Sequence, residues 1–321
     1  MAAENPFCLR AIGVHLPERR VDNTVRAERF DYDLDSLRSK IGIAATARMD
    51  EGQETSDLCV AAVRDLEARL EAAGEGGLDL GSIDLLVVVT QHPDGHGLPH
   101  TSAIVHGKLG LPDGCFAFDI SLGCSGYVAA LATVSGHLMA TGGERALLVT
   151  ADPYSKSLSE DDKNTSMIFG DAATATLIEK GEGWRIGAFD FGTKGARHDA
   201  LRRDEEGVLQ MNGRAVFDFC ALNVPKSLKR AMEANGVTLD DVDAYALHPG
   251  SKYIVDTVCK RAGLTAPERL DCADYGNTVS SSIPMILAGL NREAAGTVLI
   301  SGFGVGLGWA TTVLTTKGSQ A

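Results

Sequence analysis

Nowhere in the 321 residues is there an uninterrupted apolar run of about 18 residues, the length at which a membrane-spanning helix is suspected. The opening MAAENPFCLRAIG has no basic flank leading into an apolar stretch, so no targeting segment is expected and the chain reads as cytoplasmic. Positive charge is also short: 30 Lys and Arg stand against 43 Asp and Glu, a net of -13. A field of that sign repels polyphosphate and argues against nucleic-acid binding. CxxC spacing is missing too. The seven cysteines, Cys8, Cys59, Cys115, Cys124, Cys220, Cys259 and Cys272, are odd in number and scattered, which speaks against a disulfide framework and a zinc site. Most are expected to be buried small hydrophobes. His92, His96, His100 and His106 crowd QHPDGHGLPHTSAIVH, but the interleaved Pro93, Gly95, Gly97 and Pro99 prevent a regular helix from aligning them. No metal is expected there.

What is present is apolar material, 44% of the chain, enough for a large core, and 36 glycines without a short period. That composition suits α/β architecture with many tight strand-to-helix turns. The segment SDLCVAAVRDLEARLEAAG has helical apolar spacing and is followed by IDLLVVVT, a buried-strand run. The same order returns in VFDFCALNVPKSLKRAMEANGVTLDDVDAYALH, where Asp243 opens the strand as Asp84 opens the first. Next come SAIVHGKLGL, FAFDI, a turn at SLGCSG, helix YVAALATVSGHLMATGG and strand RALLVTAD. Their later counterparts are YIVDTVCKRAGL, LDCADYGN, helix TVSSSIPMILAGL and strand TVLISGFG. Cys124 and Asn277 thus fall at corresponding strand-to-helix turns. The expectation is a duplicated α/β chain with halves at 1–180 and 181–321, and strands such as LLVVV imply sheets covered on both faces. A five-layer αβαβα sandwich follows.

Cys124 comes after FAFDI and at the start of a helix, with Gly123 and Gly126 permitting a sharp turn. The positive end of a helix dipole favours thiolate, so this thiol is the candidate nucleophile, and a lowered pKa is expected. His248 ends the strand AYAL, before Pro249 and Gly250, at the carboxyl end where α/β sheets carry ligands. Asn277, after Gly276 and before Thr-Val-Ser-Ser-Ser, reads as a helix cap or, through its correspondence to Cys124, as a site residue. The run GFGVGLG leads into the strand-like WATTVLTT instead of a helix, so it is no dinucleotide fingerprint.

Cys in DISLGCSGY, His in ALHPGS, Asn in YGNTVSSS and the glycine-rich SGFGVGLGW occur in the order and spacing of β-ketoacyl-ACP synthase III enzymes, and over nearly its whole length the chain resembles that thiolase-fold family. IGVHLPERRVDN, MIFGDAATATLI and MNGRAVF also fit. The resemblance implies a Cys124–His248–Asn277 triad, with an oxyanion hole from the backbone N–H groups of Cys124 and Gly306. It implies an acyl pocket at Leu98, Tyr154 and Phe169, with Leu98 reaching into a partner subunit. It also implies CoA or carrier-protein contacts at Lys40, Lys163, Arg214, Lys252 and Tyr253. A basic cluster of Arg214, Lys226, Lys229, Arg230, Lys252, Lys260 and Arg261 would dock an acidic acyl carrier protein. Ser36 and Tyr253 stand where fatty-acid initiators flank the adenine with tryptophan and arginine.

The implied protein is a homodimeric acyltransferase that loads an acyl group on Cys124 and condenses it with a malonyl-type extender, without metal or redox cofactor. Pro249-Gly250-Ser251 replaces the family's Gln-Ala-Asn and resembles type III polyketide synthases, which share fold and triad. Acyl transfer to a hydroxyl or amine without condensation is the rival reaction. A non-catalytic partner subunit is the rival of another class, and the presence of Cys124 argues against it.

Overall fold

The computed structural model describes residues 5–264 and 272–316. Among the described residues, nine strands share one sheet: β1 (Phe7–His15), β2 (Leu85–Val89), β3 (Phe116–Ile120), β4 (Arg145–Ala151), β5 (Ala173–Lys180), β6 (Trp184–Thr193), β7 (Ala244–Leu247), β8 (Thr297–Gly304) and β9 (Gly308–Thr315). Their order is β7-β8-β9-β6-β1-β5-β4-β2-β3. The larger helices are α1 (Thr55–Ala72), α2 (Thr101–Leu109), α3 (Gly126–Thr141), α4 (Gly213–Ala234), α5 (Lys252–Ala262) and α6 (Ser282–Gly289).

In chain order the first half runs β1-α1-β2-α2-β3-α3-β4-β5 and the second β6-α4-β7-α5-α6-β8-β9. A strand equivalent to β3 would begin within LDCADYGN, whose first two residues lie outside the described ones. In each half the central strands are parallel and the closing ones antiparallel. The halves meet where β1 pairs with β6 over only two positions, Cys8 with Arg185 and Leu9 with Trp184.

The layering follows from the two faces of each buried strand. Leu85, Val87 and Val89 of β2 turn inward to Leu131 and Val134 of α3, Ile283 and Ile286 of α6, and Val298 and Ile300 of β8. The intervening Leu86 and Val88 turn outward to Leu58 and Leu66 of α1. On the far side Leu299 of β8 and Val313 of β9 pack on Phe219 and Leu228 of α4. Helices α3 and α6 touch strands of both halves, so they form the middle of five layers. No helix among the described residues is long and apolar enough to cross a membrane.

Candidate active site

Three strands bring their carboxyl ends together. Beyond β3 the chain turns at Gly123, whose carbonyl accepts the Gly126 N–H at 2.7 Å, and Cys124 sits inside that turn, 4% exposed. The turn docks on β8 because β8 has glycine where it touches. A Cβ on Gly302 would lie 2.5 Å from the Cys124 carbonyl oxygen, and one on Gly304 would lie 2.7 Å from its sulfur. His248 extends β7 by one step, donating its N–H to the Ser301 carbonyl at 2.9 Å, and its ring stands edge-on to Phe303.

Asn277 is bridged to Phe169, and its side-chain Oδ1 accepts the Val279 N–H at 2.9 Å. That bond occupies Oδ1, while the Nδ2 donors have no hydrogen-bond partner among the described residues. Val279 reaches this position with φ 54, in the left-handed region. For a β-branched residue that conformation costs roughly 1–2 kcal/mol, and strain of this kind gathers at sites where the geometry matters.

Cys124, His248 and Asn277 line one cavity of about 440 Å³. Its inner wall is apolar, with Phe169, Leu201, Met211, Val216 and Phe303, together with a second thiol, Cys220. Its mouth carries exposed Lys40 and Arg214, and Tyr253 stacked on Phe217 with ring centroids 5.0 Å apart.

Burial sets the charge states. It pushes the Cys124 thiol up to about 12, against the pull of the Val305 and Cys124 N–H groups. The lowered pKa expected from the helix dipole is therefore not found. Cys124 precedes the cap residue Ser125, outside the first turn of α3, and loss of water outweighs the dipole. Burial likewise lowers His248 to about 3, leaving a neutral imidazole whose Nδ1 has no partner among the described residues.

The other expected residues divide. Phe169 lines the cavity, but Tyr154 lies behind it, ring centroids 4.9 Å apart, with its hydroxyl donating to Gln91 Oε1 at 2.7 Å. Leu98 is 94% exposed and does not line its own chain's cavity, because it sits on the 91–100 loop, away from the strand ends. Lys163 lies over the Tyr32 ring, and Lys252 pairs with Asp256; neither lines the cavity. Within the basic cluster Lys229 pairs with Glu233, Arg230 with Asp190, and Arg261 donates to the Ala221 carbonyl. Lys229, Arg230 and Lys252 of that patch are thus paired with carboxylates of their own chain. The Val305 N–H, one residue beyond the strand end at Gly304, faces the Cys124 sulfur, and Gly306, the expected oxyanion donor, follows it in the chain. In the histidine-rich stretch, His92 bonds Ser157 and His100 caps α2.

Comparison with known proteins agrees with this geometry. The sequence matches the family 3-Oxoacyl-[acyl-carrier-protein (ACP)] synthase III over residues 118–195 and its C-terminal part over 232–316. It is 30% identical to beta-ketoacyl-[acyl-carrier-protein] synthase III of Lactococcus lactis, covering 94% of this chain and 96% of that protein. The synthase III structure from Thermus thermophilus superposes with a TM-score of 0.85 at 31% identity, covering 97% of this chain and 99% of the other. A priming β-ketosynthase of the R1128 polyketide pathway gives 0.86 at 27%, covering 97% and 96%. With the fold and these relatives in agreement, the chain belongs to the 3-oxoacyl-[acyl-carrier-protein] synthase III family of condensing enzymes.

Proposed function

We propose that this chain takes an acyl group from a CoA or carrier-protein thioester onto Cys124 and condenses it with a malonyl-type extender, releasing carbon dioxide and a β-ketoacyl thioester. The supporting observation is the shared cavity of Cys124, His248 and Asn277, with the Asn277 Oδ1 held by the Val279 N–H and its Nδ2 left free to donate. In the first half-reaction the sulfur attacks the donor carbonyl, the donor thiol leaves with the proton, and the acyl group stays activated as a thioester. The backbone N–H groups of Cys124 and Gly306 serve the oxygen charge that develops on the acyl-cysteine. In the second, the extender's carboxylate leaves as carbon dioxide. The resulting enolate oxygen accepts from Asn277 Nδ2 and from the neutral His248 ring, and the enolate carbon attacks the acyl carbon as the C–S bond breaks. Thiol and donors complete these steps, so the reaction draws on no metal or redox group.

The mouth favours a carrier-protein donor over free CoA. Ser36 offers no ring for adenine and does not line the cavity, and Tyr253 is committed to its stack on Phe217. The cation–π and stacking contributions of a tryptophan–arginine pair, about 0.5–2 kcal/mol, are absent or rebuilt. The protein acts as a homodimer joined along β3, an edge strand with Phe116 exposed. The deciding experiment follows Cys124 acylation by intact mass for one acyl group on CoA and on a carrier protein, then carbon dioxide release on adding malonyl thioester. Acyl-enzyme formation followed by release is expected, with faster loading from the carrier. Acylation without carbon dioxide release would favour the non-condensing transferase.

A further inference from the structure

Asp152 lies one residue beyond β4 and is fully buried. Nothing in the chemistry above uses it, yet it stands at the junction of two catalytic segments. Its Oδ1 accepts the Gln91 N–H at 2.6 Å, and its carbonyl accepts the Tyr154 N–H at 2.7 Å. On its other side are the hydroxyl and N–H of Ser280, which both act to hold the carboxyl in its charged form. The approach is close but incomplete, for Asp152 Oδ2 and Ser280 Oγ are both buried without a hydrogen bond of normal geometry.

Ser280 belongs to the single turn Val279–Ser281. The next residue, Ser281, is tied to the same strand end through Thr150 Oγ1 at 2.9 Å. The preceding residue is the strained Val279, whose N–H orients Asn277. The end of β4 therefore grips the turn, the turn holds Val279 in the left-handed region, and Val279 aims the Asn277 amide. A carboxylate suits the gripping position because either of its oxygens can accept, and donors stand on both sides of it. An asparagine would set an NH2 against one of those donors.

We propose that Asp152 is a positioning residue for Asn277, acting through the Val279–Ser281 turn. The proposal rests on the condensing function set out above and assigns Asp152 to its second half-reaction. The same carboxylate also disfavours charge on Cys124, so a role confined to the nucleophile is the competing assignment.

The two half-reactions separate these roles. Asp152→Asn is expected to slow carbon dioxide release from malonyl thioester by at least about tenfold, short of the roughly 10²–10³ for losing a donor outright. Acylation of Cys124 should stay within about twofold. In an Asn277→Ala background the second substitution should cost nothing further, since residues acting as a unit are not additive. Equal losses in both half-reactions, an unchanged release rate, or full additivity would each overturn the proposal. If Asp152→Asn does not fold, Ser280→Ala interrupts the same contact and should show the same selective loss. If the parent protein releases no carbon dioxide, the condensing function fails on its own. A crystal structure of Asp152→Asn then reads the contact without turnover: a displaced Val279 and rotated Asn277 amide support the proposal, and an unmoved amide overturns it.

Discussion

At the scale of single residues, the three residues that share the cavity were visible because they sit at strand ends and glycine turns, where side chains leave the sheet. Cys124, His248 and Asn277 are all found there. Cys124→Ala is expected to abolish covalent acylation. With Cys220 on the same cavity wall, the adduct must be mapped by digestion, and acyl label on Cys220 or Cys115 would displace Cys124 as nucleophile. Charge states were not legible, because they depend on burial that only the packed chain reveals. His248 and His92 are both lowered to about 3 by burial. Between that value and about 6.5 the unfolded chain binds protons that the folded one refuses, so stability is lost as pH falls through this window. Asp152, raised to about 6 by burial, works in the opposite sense between that value and its unfolded pKa of about 3.8, offsetting part of the loss. Thermal melts of His248→Asn should therefore decline less steeply from pH 7 to pH 5 than those of the parent. Parallel declines would mean that His248 is not the buried neutral group described.

At the scale of elements, the duplicated order of helices and strands was readable because buried strands alternate sides with a period of two and helices do not. What the pattern could not reveal is how closely the elements approach. The Cys124 turn lies on β8 only because Gly302 and Gly304 leave room, and Gly304 also has φ 156. Gly304→Ala adds a methyl that must displace the sulfur, and a misplacement near 1 Å costs about 10²-fold in rate. Acylation by a carrier-bound donor should fall by about that factor while the variant remains folded by circular dichroism. Acylation at the parental rate would show that the turn has slack the packing does not suggest. Within GFGVGLG, spacing alone does not tell which N–H turns toward the sulfur, and in the structure that of Val305 does. For Asn277→Ala the effect belongs to the second step alone. Acylation persists and decarboxylation slows by about 10²–10³. Condensation at the parental rate would reduce Asn277 to a structural cap.

At the scale of the whole molecule, the sheet ends at β3, whose outer edge is unpaired among the described residues. Phe116 on that edge is 56% exposed and stacked on His137, with Met139 exposed on the adjoining α3. A bare edge strand carrying an aromatic invites pairing with another chain unless it is blunted by charge or proline, and FAFDI holds only one charge, at its far end. Asp119 is moreover already committed to the N–H groups of Thr101 and Ser102 at the start of α2. A second copy docking antiparallel through the same strand would close the edge with two-fold symmetry, the commonest arrangement of homo-oligomers. Leu98, exposed on its own chain, would then gain a neighbour in the other protomer, as the family resemblance implies. The parent is expected to sediment as a dimer. Because an exposed position tolerates substitution within about 0.5 kcal/mol, Phe116→Glu should leave the protomer folded. A carboxylate set into the apolar contact on each protomer should nevertheless shift it toward monomer, with weaker shift at high salt. Analytical ultracentrifugation of both proteins at two ionic strengths decides the matter. A monomeric parent would refute the dimer, and a Phe116→Glu protein as dimeric as the parent would move the interface away from β3.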